Sequence, residues 1–170
     1  CSTEDTAPST QNDKVAVQFT GGISVSTRAA GVAWADGDRI GIFMTEAGKT
    51  LSADVIKEGV DNVCYQSNGS IAFSPVSGGK TVFFPIDGDV DFYSYYPQTT
   101  VNDYKVALDV TDQTKQEAID FMYAKTEGCN KATPQVDLKF FHKLSNLILD
   151  VQPGNGLTQE DLKKMTVTVK

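Results

Sequence analysis

The chain has 170 residues and carries 22 acidic against 15 basic side chains, a formal net charge of −7 at pH 7. That length is enough for one domain with a real hydrophobic core. The acidic balance and the lack of any basic cluster weigh against nucleic acid or an anionic membrane surface as partner, and no apolar run approaches the roughly 20 residues of a spanning helix.

The sequence opens on Cys1, followed by the polar and small residues Ser2 to Thr10. This looks like a bacterial lipoprotein after removal of its signal peptide, with lipid on Cys1 and residues 1–13 as a flexible tether. The domain proper is then 14–170. Cys64 and Cys129 remain, and export would permit a disulfide between them. Two separate thiols are the expectation.

Val15, Val17 and Phe19 alternate with polar or small residues and predict a first strand, interrupted at Gly21-Gly22 and resumed over Ile23 to Ser26. Trp34 precedes an Asp36-Gly37-Asp38 turn, and Arg39 to Met44 enters a second strand. Thr45 to Gly59 has little pattern beyond one helical turn near Asp54 to Lys57. Asn68-Gly69, between Val63–Gln66 and Ser70–Ser74, signals a two-residue hairpin. Thr81 to Phe84 and Val90 to Tyr95 continue the series of strands. Asp87, Asp89 and Asp91 imitate the first ligands of a calcium loop, but Phe92 and Gln98 stand where its glycine and glutamate belong, so no metal is expected. Tyr104, Val106, Leu108 and Val110 alternate as a further strand. Thr158 with Asp161 resembles a capping box for a short helix through Lys164, and Met165, Val167 and Val169 start a last strand.

The organising stretch is Val136 to Val151. A period of two places Val136, Leu138, Phe140, His142 and Leu144 on one inward face, opposite Asp137, Lys139, Phe141 and Lys143. After Leu144 the apolar phase slips to Leu147, Leu149 and Val151, which predicts a bulge near Ser145 in a strand that turns a sandwich corner. His142 is expected to be buried, neutral and hydrogen-bonded to a backbone or hydroxyl partner, since no second ligand stands at metal-binding spacing. Short strands with Gly, Asn and Asp turns indicate an all-β sandwich. The sequence has no nucleophile elbow, phosphate loop or Cys/His ligand set, so neither an enzyme nor a cofactor is expected.

Phe140, His142 and Leu144, followed by Leu147 and Ile148, resemble the Phe-x-His-x-Leu signature of the fimbrillin-like proteins of Bacteroidetes, subunits and accessory lipoproteins of type V pili. Trp34 to Phe43, Phe73 to Pro75, Phe84-Pro85, Asp91 to Pro97 and Asp120 to Ala124 extend the resemblance over most of the chain. It implies a transthyretin-like, Greek-key N-terminal β-sandwich, with a second sandwich expected beyond Lys170. It also implies a structural, anchoring or adhesive subunit of a type V pilus, lipid-anchored at the outer membrane, cell surface or fimbrium before any processing. Partners would be other pilus subunits through donor-strand exchange, the outer membrane through the lipid, and a host protein or glycan.

In the pilins of that family a protease cutting after arginine removes the first strand, and Arg28-Ala29 falls where the cut would be expected. The first strand should then lie at a sheet edge beside the Phe140 strand. Asp5-Thr6-Ala7 resembles the O-glycan acceptor of Bacteroidetes, which nominates Thr6. The alternative reading is an outer-membrane glycan-binding lipoprotein. It rests on Trp34, Tyr93, Tyr95, Tyr96 and Tyr123 as sugar-stacking platforms, residues that equally suit a sandwich core.

Overall fold

The computed structural model describes residues 14–24, 33–109, 111, 120–144, 152–156 and 158–166. Side-chain alternation sets the direction in which each strand faces. In β7 (Gln135–His142), Val136, Leu138 and Phe140 are buried while Asp137, Lys139 and Phe141 face out. The other strands are β1 (Gln18–Ser24), β2 (Asp36–Glu46), β3 (Val63–Asn68), β4 (Ala72–Pro75), β5 (Val90–Tyr96) and β6 (Met122–Cys129). They close into one ring in the order β1-β4-β3-β2-β5-β6-β7. The all-β class therefore holds, but the strands form a closed barrel where two stacked sheets were expected.

Closure depends on β1. It runs parallel to β7 from Gln18 opposite Gln135 to Ser24 opposite Phe141, and antiparallel to β4 at Phe19 and Thr20. The first strand does neighbour the Phe140 strand as expected. It is not at a sheet edge, because the short strand β4 bends over its other side and completes the ring.

The barrel interior is filled by its own side chains. Phe19 meets the rings of Tyr65 and Phe92 edge-on, each at 5.1 Å, and Trp34 does the same with Phe73 and Phe140 at 5.0 and 5.1 Å. Such crossings satisfy the ring quadrupoles while burying large apolar area. The indole Nε1 of Trp34 donates to the Gly21 carbonyl at 2.7 Å. Gly21 is required there, since a Cβ would stand 2.6 Å from the Phe73 ring. The expected interruption at Gly21-Gly22 is thus overturned: β1 runs straight through, and the glycine admits the aromatic cluster.

Other local expectations are corrected too. The Asn68-Gly69 hairpin forms, with Gly69 at φ +83°, but the Ser67–Phe73 register leaves residues 68–72 between the paired positions, a wider loop than two residues. The Ser67 hydroxyl bridges that loop, donating to the Ser70 carbonyl at 2.9 Å and accepting from the Gly69 amide at 3.1 Å. Around Thr81–Phe84 only an isolated bridge from Phe83 to Ala16 forms. Tyr104 to Leu108 makes no strand: Asp103 and Tyr104 have φ of +50° and +55°, which breaks the alternation. The capping box at Thr158 and Asp161 does form, opening a short helix α1 (Gln159–Leu162).

The inward face predicted for β7 holds through Phe140 and then fails. His142 is only half-buried, and its Nδ1 lies 2.7 Å from Asp120 Oδ1, so the partner is a carboxylate rather than a backbone or hydroxyl group. Leu144 is 39% exposed. The ladder with β6 ends at Met122–His142, and among the described residues no strand pairs with the chain beyond it. Leu147, Leu149 and Val151, and with them the predicted slip near Ser145, lie outside the described residues.

Candidate functional site: an aromatic groove on the outer face

β5 is buried on both sides, and the second side builds the site. Val90, Phe92 and Ser94 face the barrel interior, while Tyr93 and Tyr95 face outward. Gly41 of β2 leaves room for Tyr95 to lie across the sheet, because a Cβ there would sit 2.3 Å from the Tyr95 ring. The Tyr95 ring lies between Phe43 and Phe121, with centroids 6.1 Å away on each side and interplanar angles of 26° and 29°. Its hydroxyl is 2.7 Å from both Asn62 Oδ1 and the Thr99 carbonyl, which pins the ring. The segment from Val101 to Leu108 forms the facing wall, with Tyr104 edge-on to Phe43 at 5.7 Å. Between the walls lies a groove of about 280 Å³.

One lysine lines it, and two more lie over rings that do. Lys105 lines the groove and pairs with Asp103 at 3.2 Å. Lys125 Nζ sits 5.0 Å over the Tyr93 ring and 2.6 Å from Glu127; that carboxylate first, and Tyr93 next, hold its ammonium above the ordinary lysine range. Lys143 Nζ lies 5.2 Å over the Tyr123 ring. Burial pushes the Tyr95 and Tyr123 phenols up, so both are neutral hydroxyls at physiological pH.

Of the five aromatic residues nominated as sugar platforms, Tyr93, Tyr95 and Tyr123 meet at this groove. Trp34 is in the barrel core, and Tyr96 packs against it with its hydroxyl 3.2 Å from Asp38. The sequence reading missed Phe43, Phe121 and Tyr104. The available signal was the run Asp91 to Pro97, too apolar for a strand with one wet face. Cys1, Thr6, Arg28, Ala29 and Leu147 lie outside the described residues.

The three aspartates that imitate a calcium loop do not converge. Asp91 is buried, and its two oxygens accept the Gly48 amide at 2.8 Å and the Gly128 amide at 2.9 Å. Asp89 instead accepts from the Asn130 side chain at 2.9 Å.

Cys64 and Cys129 are both free thiols, as expected. Burial first, then the carboxylates of Asp91 and Asp89, pushes the Cys129 thiol up from 9.0 to about 11. The thiolate is the nucleophile, so Cys129 should alkylate far more slowly than an unfolded control at pH 8.5, read by mass spectrometry. A folded value above the unfolded one means that stability is complete below about pH 9 and declines as pH rises through about 11. Equal alkylation of folded and unfolded chains would contradict this.

A barrel packed solid with its own side chains, bearing an aromatic groove on its outer wall, is the build of a structural or binding module. The chain belongs to the fimbrillin-like family, whose model matches residues 27–170. A Bacteroides uniformis protein designated fimbrium subunit Fim1C is 35% identical over 175 residues, covering 97% of this chain and 54% of that relative. A crystal structure of a protein designated a cell adhesion protein, also from Bacteroides uniformis, is 37% identical with a TM-score of 0.60, covering 76% of this chain and 49% of that one. A second such crystal structure, from Bacteroides ovatus, is 26% identical with a TM-score of 0.54, covering 75% of this chain and 52% of that one. The chain thus spans about half the length of these relatives. Their designations are those of fimbrial and adhesion proteins, not enzymes, in agreement with the non-enzymatic reading.

Proposed function

We propose that this chain is part of a cell-surface subunit of a type V pilus, structural, anchoring or adhesive in role, assembled by donor-strand exchange. The observation that carries the reading is the position of β1. This N-terminal strand fills a slot between β4 and β7, contributes the buried Phe19, and pairs with β4 at only two positions. Its removal would expose a row of unpaired main-chain groups on β7, a template for another subunit's strand. A concavity of about 590 Å³ already flanks Gly21–Ser24, beside the exposed Ile71. The transthyretin-like Greek-key relationship belongs to the same proposal, supported by β1 lying between β4 and β7 rather than beside β2.

Lipid on Cys1 would anchor the subunit in the outer membrane through a tether of residues 1–13, with Thr6 as an O-glycan acceptor. Cutting between Arg28 and Ala29 would release both anchor and β1. N-terminal sequencing of protein from assembled fibres tests the exchange: Ala29 as first residue is expected of a shaft subunit, an intact lipidated Cys1 of an anchor. Cys1→Ser should move the unprocessed protein to the soluble periplasmic fraction, since a multi-chain lipid anchor is what holds it. Retention in membranes would defeat the anchor.

The alternative reading, glycan binding, requires the aromatic residues nominated for it to be exposed together; Trp34, Tyr93 and Tyr95 are instead 5%, 7% and 4% exposed and fill core clusters, so the pilus reading is preferred.

A further inference from the structure

We propose that the outer face of β7 is a docking surface for a second copy of this chain, which seats its loop Ile86–Asp89 on the stripe Lys139, Phe141 and Lys143. This contact goes beyond strand exchange, since it joins two barrel surfaces and leaves β1 in place.

The stripe follows from alternation. Lys139 and Phe141 point outward from β7, and Lys143 continues the same face. Lys139 Nζ lies 5.6 Å over the Phe141 ring, and Lys143 Nζ lies 5.2 Å over the ring of Tyr123, the residue opposite Phe141 on β6. Both ammonium groups thus lean toward one pair of rings, and two positive charges flank Phe141, which is 45% exposed. Among the described residues neither lysine has a carboxylate partner. The acidic side chains closest to them in the fold are engaged elsewhere: Asp137 accepts from Thr20 and Gln135, and Asp120 is held by His142. In a chain of net charge −7, paired positive charge around an exposed aromatic ring is a local feature. An acidic loop with an apolar tip completes it.

The chain carries that complement at its other end. Ile86 is 59% exposed, and Asp87 and Asp89 beside it are exposed as well. Among the described residues Asp87 has no cation partner, and Asp89 uses only Oδ1, which accepts from Asn130. This loop leads into Val90, which pairs with Cys129 beside the turn that starts β7. Lys143, eight residues beyond Gln135, stands about 25 Å along the barrel from that end. Loop and stripe are therefore too far apart to meet within one molecule, and between molecules they meet head to tail. Such a contact uses different surfaces on the two copies, so it propagates along a row of subunits instead of ending at a symmetric pair.

The contact is small. A four-residue loop on three side chains buries well under the roughly 1,200–2,000 Å² of a stable interface, and exposed ion pairs add little. It is weak in dilute solution and gains strength wherever another tie holds subunits in line, which raises their effective concentration.

The test uses the unlipidated full chain, kept reduced and with β1 in place, so that strand exchange does not contribute. Sedimentation equilibrium and NMR at rising concentration should show weak, salt-sensitive self-association, with amide shifts at both Asp87–Asp89 and Lys139–Leu144. Reversing the charge on one side, by Asp87→Lys with Asp89→Lys or by Lys139→Glu with Lys143→Glu, should weaken association at least about tenfold. Mixing the two variants should restore it, because every loop then meets a stripe of opposite charge. All four side chains are exposed, so the variants should fold. Asp87→Lys alone, which spares the bond between Asp89 and Asn130, should give a smaller loss in the same direction. A monomer at every concentration, association indifferent to the reversals, or a mixture no stronger than its components would each overturn the proposal. Shifts confined to one of the two surfaces would overturn head-to-tail docking. Strand exchange is read separately, by N-terminal sequencing of fibres, and none of these outcomes bears on it.

Discussion

Trp34→Ala is expected to destabilise the domain by about 3–5 kcal/mol, a large part of the stability of a chain this size. Trp34 is 5% exposed, and its ring touches Phe73, Phe140 and Tyr96 edge-on at 5.0 to 5.4 Å. Truncation would leave a cavity between β1, β4 and β7 that Gly21, lacking a side chain, cannot fill. Trp34→Phe separates the two contributions: most packing stays, but the Gly21 carbonyl loses its donor, for about 1–3 kcal/mol. Because Trp34 is the only tryptophan, the denaturant midpoint should be read by far-ultraviolet circular dichroism. A Trp34→Ala loss below about 1 kcal/mol would show that the cluster is not the keystone of closure.

Asp91→Ala should cost about 2–4 kcal/mol, from losing two charge-assisted bonds and leaving two amides unmet. Asp91 is 1% exposed. The amides it accepts belong to Gly48 and Gly128, at φ of +73° and +66°, a backbone region that side chains disfavour. The carboxylate thereby ties the turn after β2 to the end of β6, across β5. Asp91→Asn should behave almost like alanine, since one of its two side-chain groups is a donor and would face an N–H. Near-native stability of the asparagine variant would show that a single acceptor suffices. The same measurement with added calcium should show no stabilisation of the native chain, because the oxygens of Asp91 are already taken by amides.

How far the sequence could be read depended on whether the deciding contact was local. Strands β2, β3, β5 and β7 were legible because alternation is a local property and Gly or Asn at turns has a local cause. The helix cap at Thr158 was legible for the same reason, and so was the family, from short motifs in order. Local pattern misled at Tyr104 to Leu108. That segment alternates like a strand, but it packs its apolar side chains onto the outer face of β2 and β5 without joining the ladder. The inward face of β7 could be read up to Phe140 and not at His142 or Leu144, because an alternating residue is buried only where a neighbouring strand continues, and β6 begins opposite His142.

The sequence by itself determined the all-β class, the inward and outward faces of the main strands, the non-enzymatic character and the family. Tertiary structure alone decided three things. It closed the barrel by inserting β1 between β4 and β7, a parallel pairing between strands more than 100 residues apart that no local pattern encodes. It turned an apparent calcium ligand, Asp91, into an internal clamp. It also sorted the aromatic residues, sending Trp34 inward to Gly21 and setting Tyr95 over Gly41 on the outside. The physical reason is common to all three: main-chain pairing and burial are shared between segments distant in sequence, and they form only once the chain has brought those segments together.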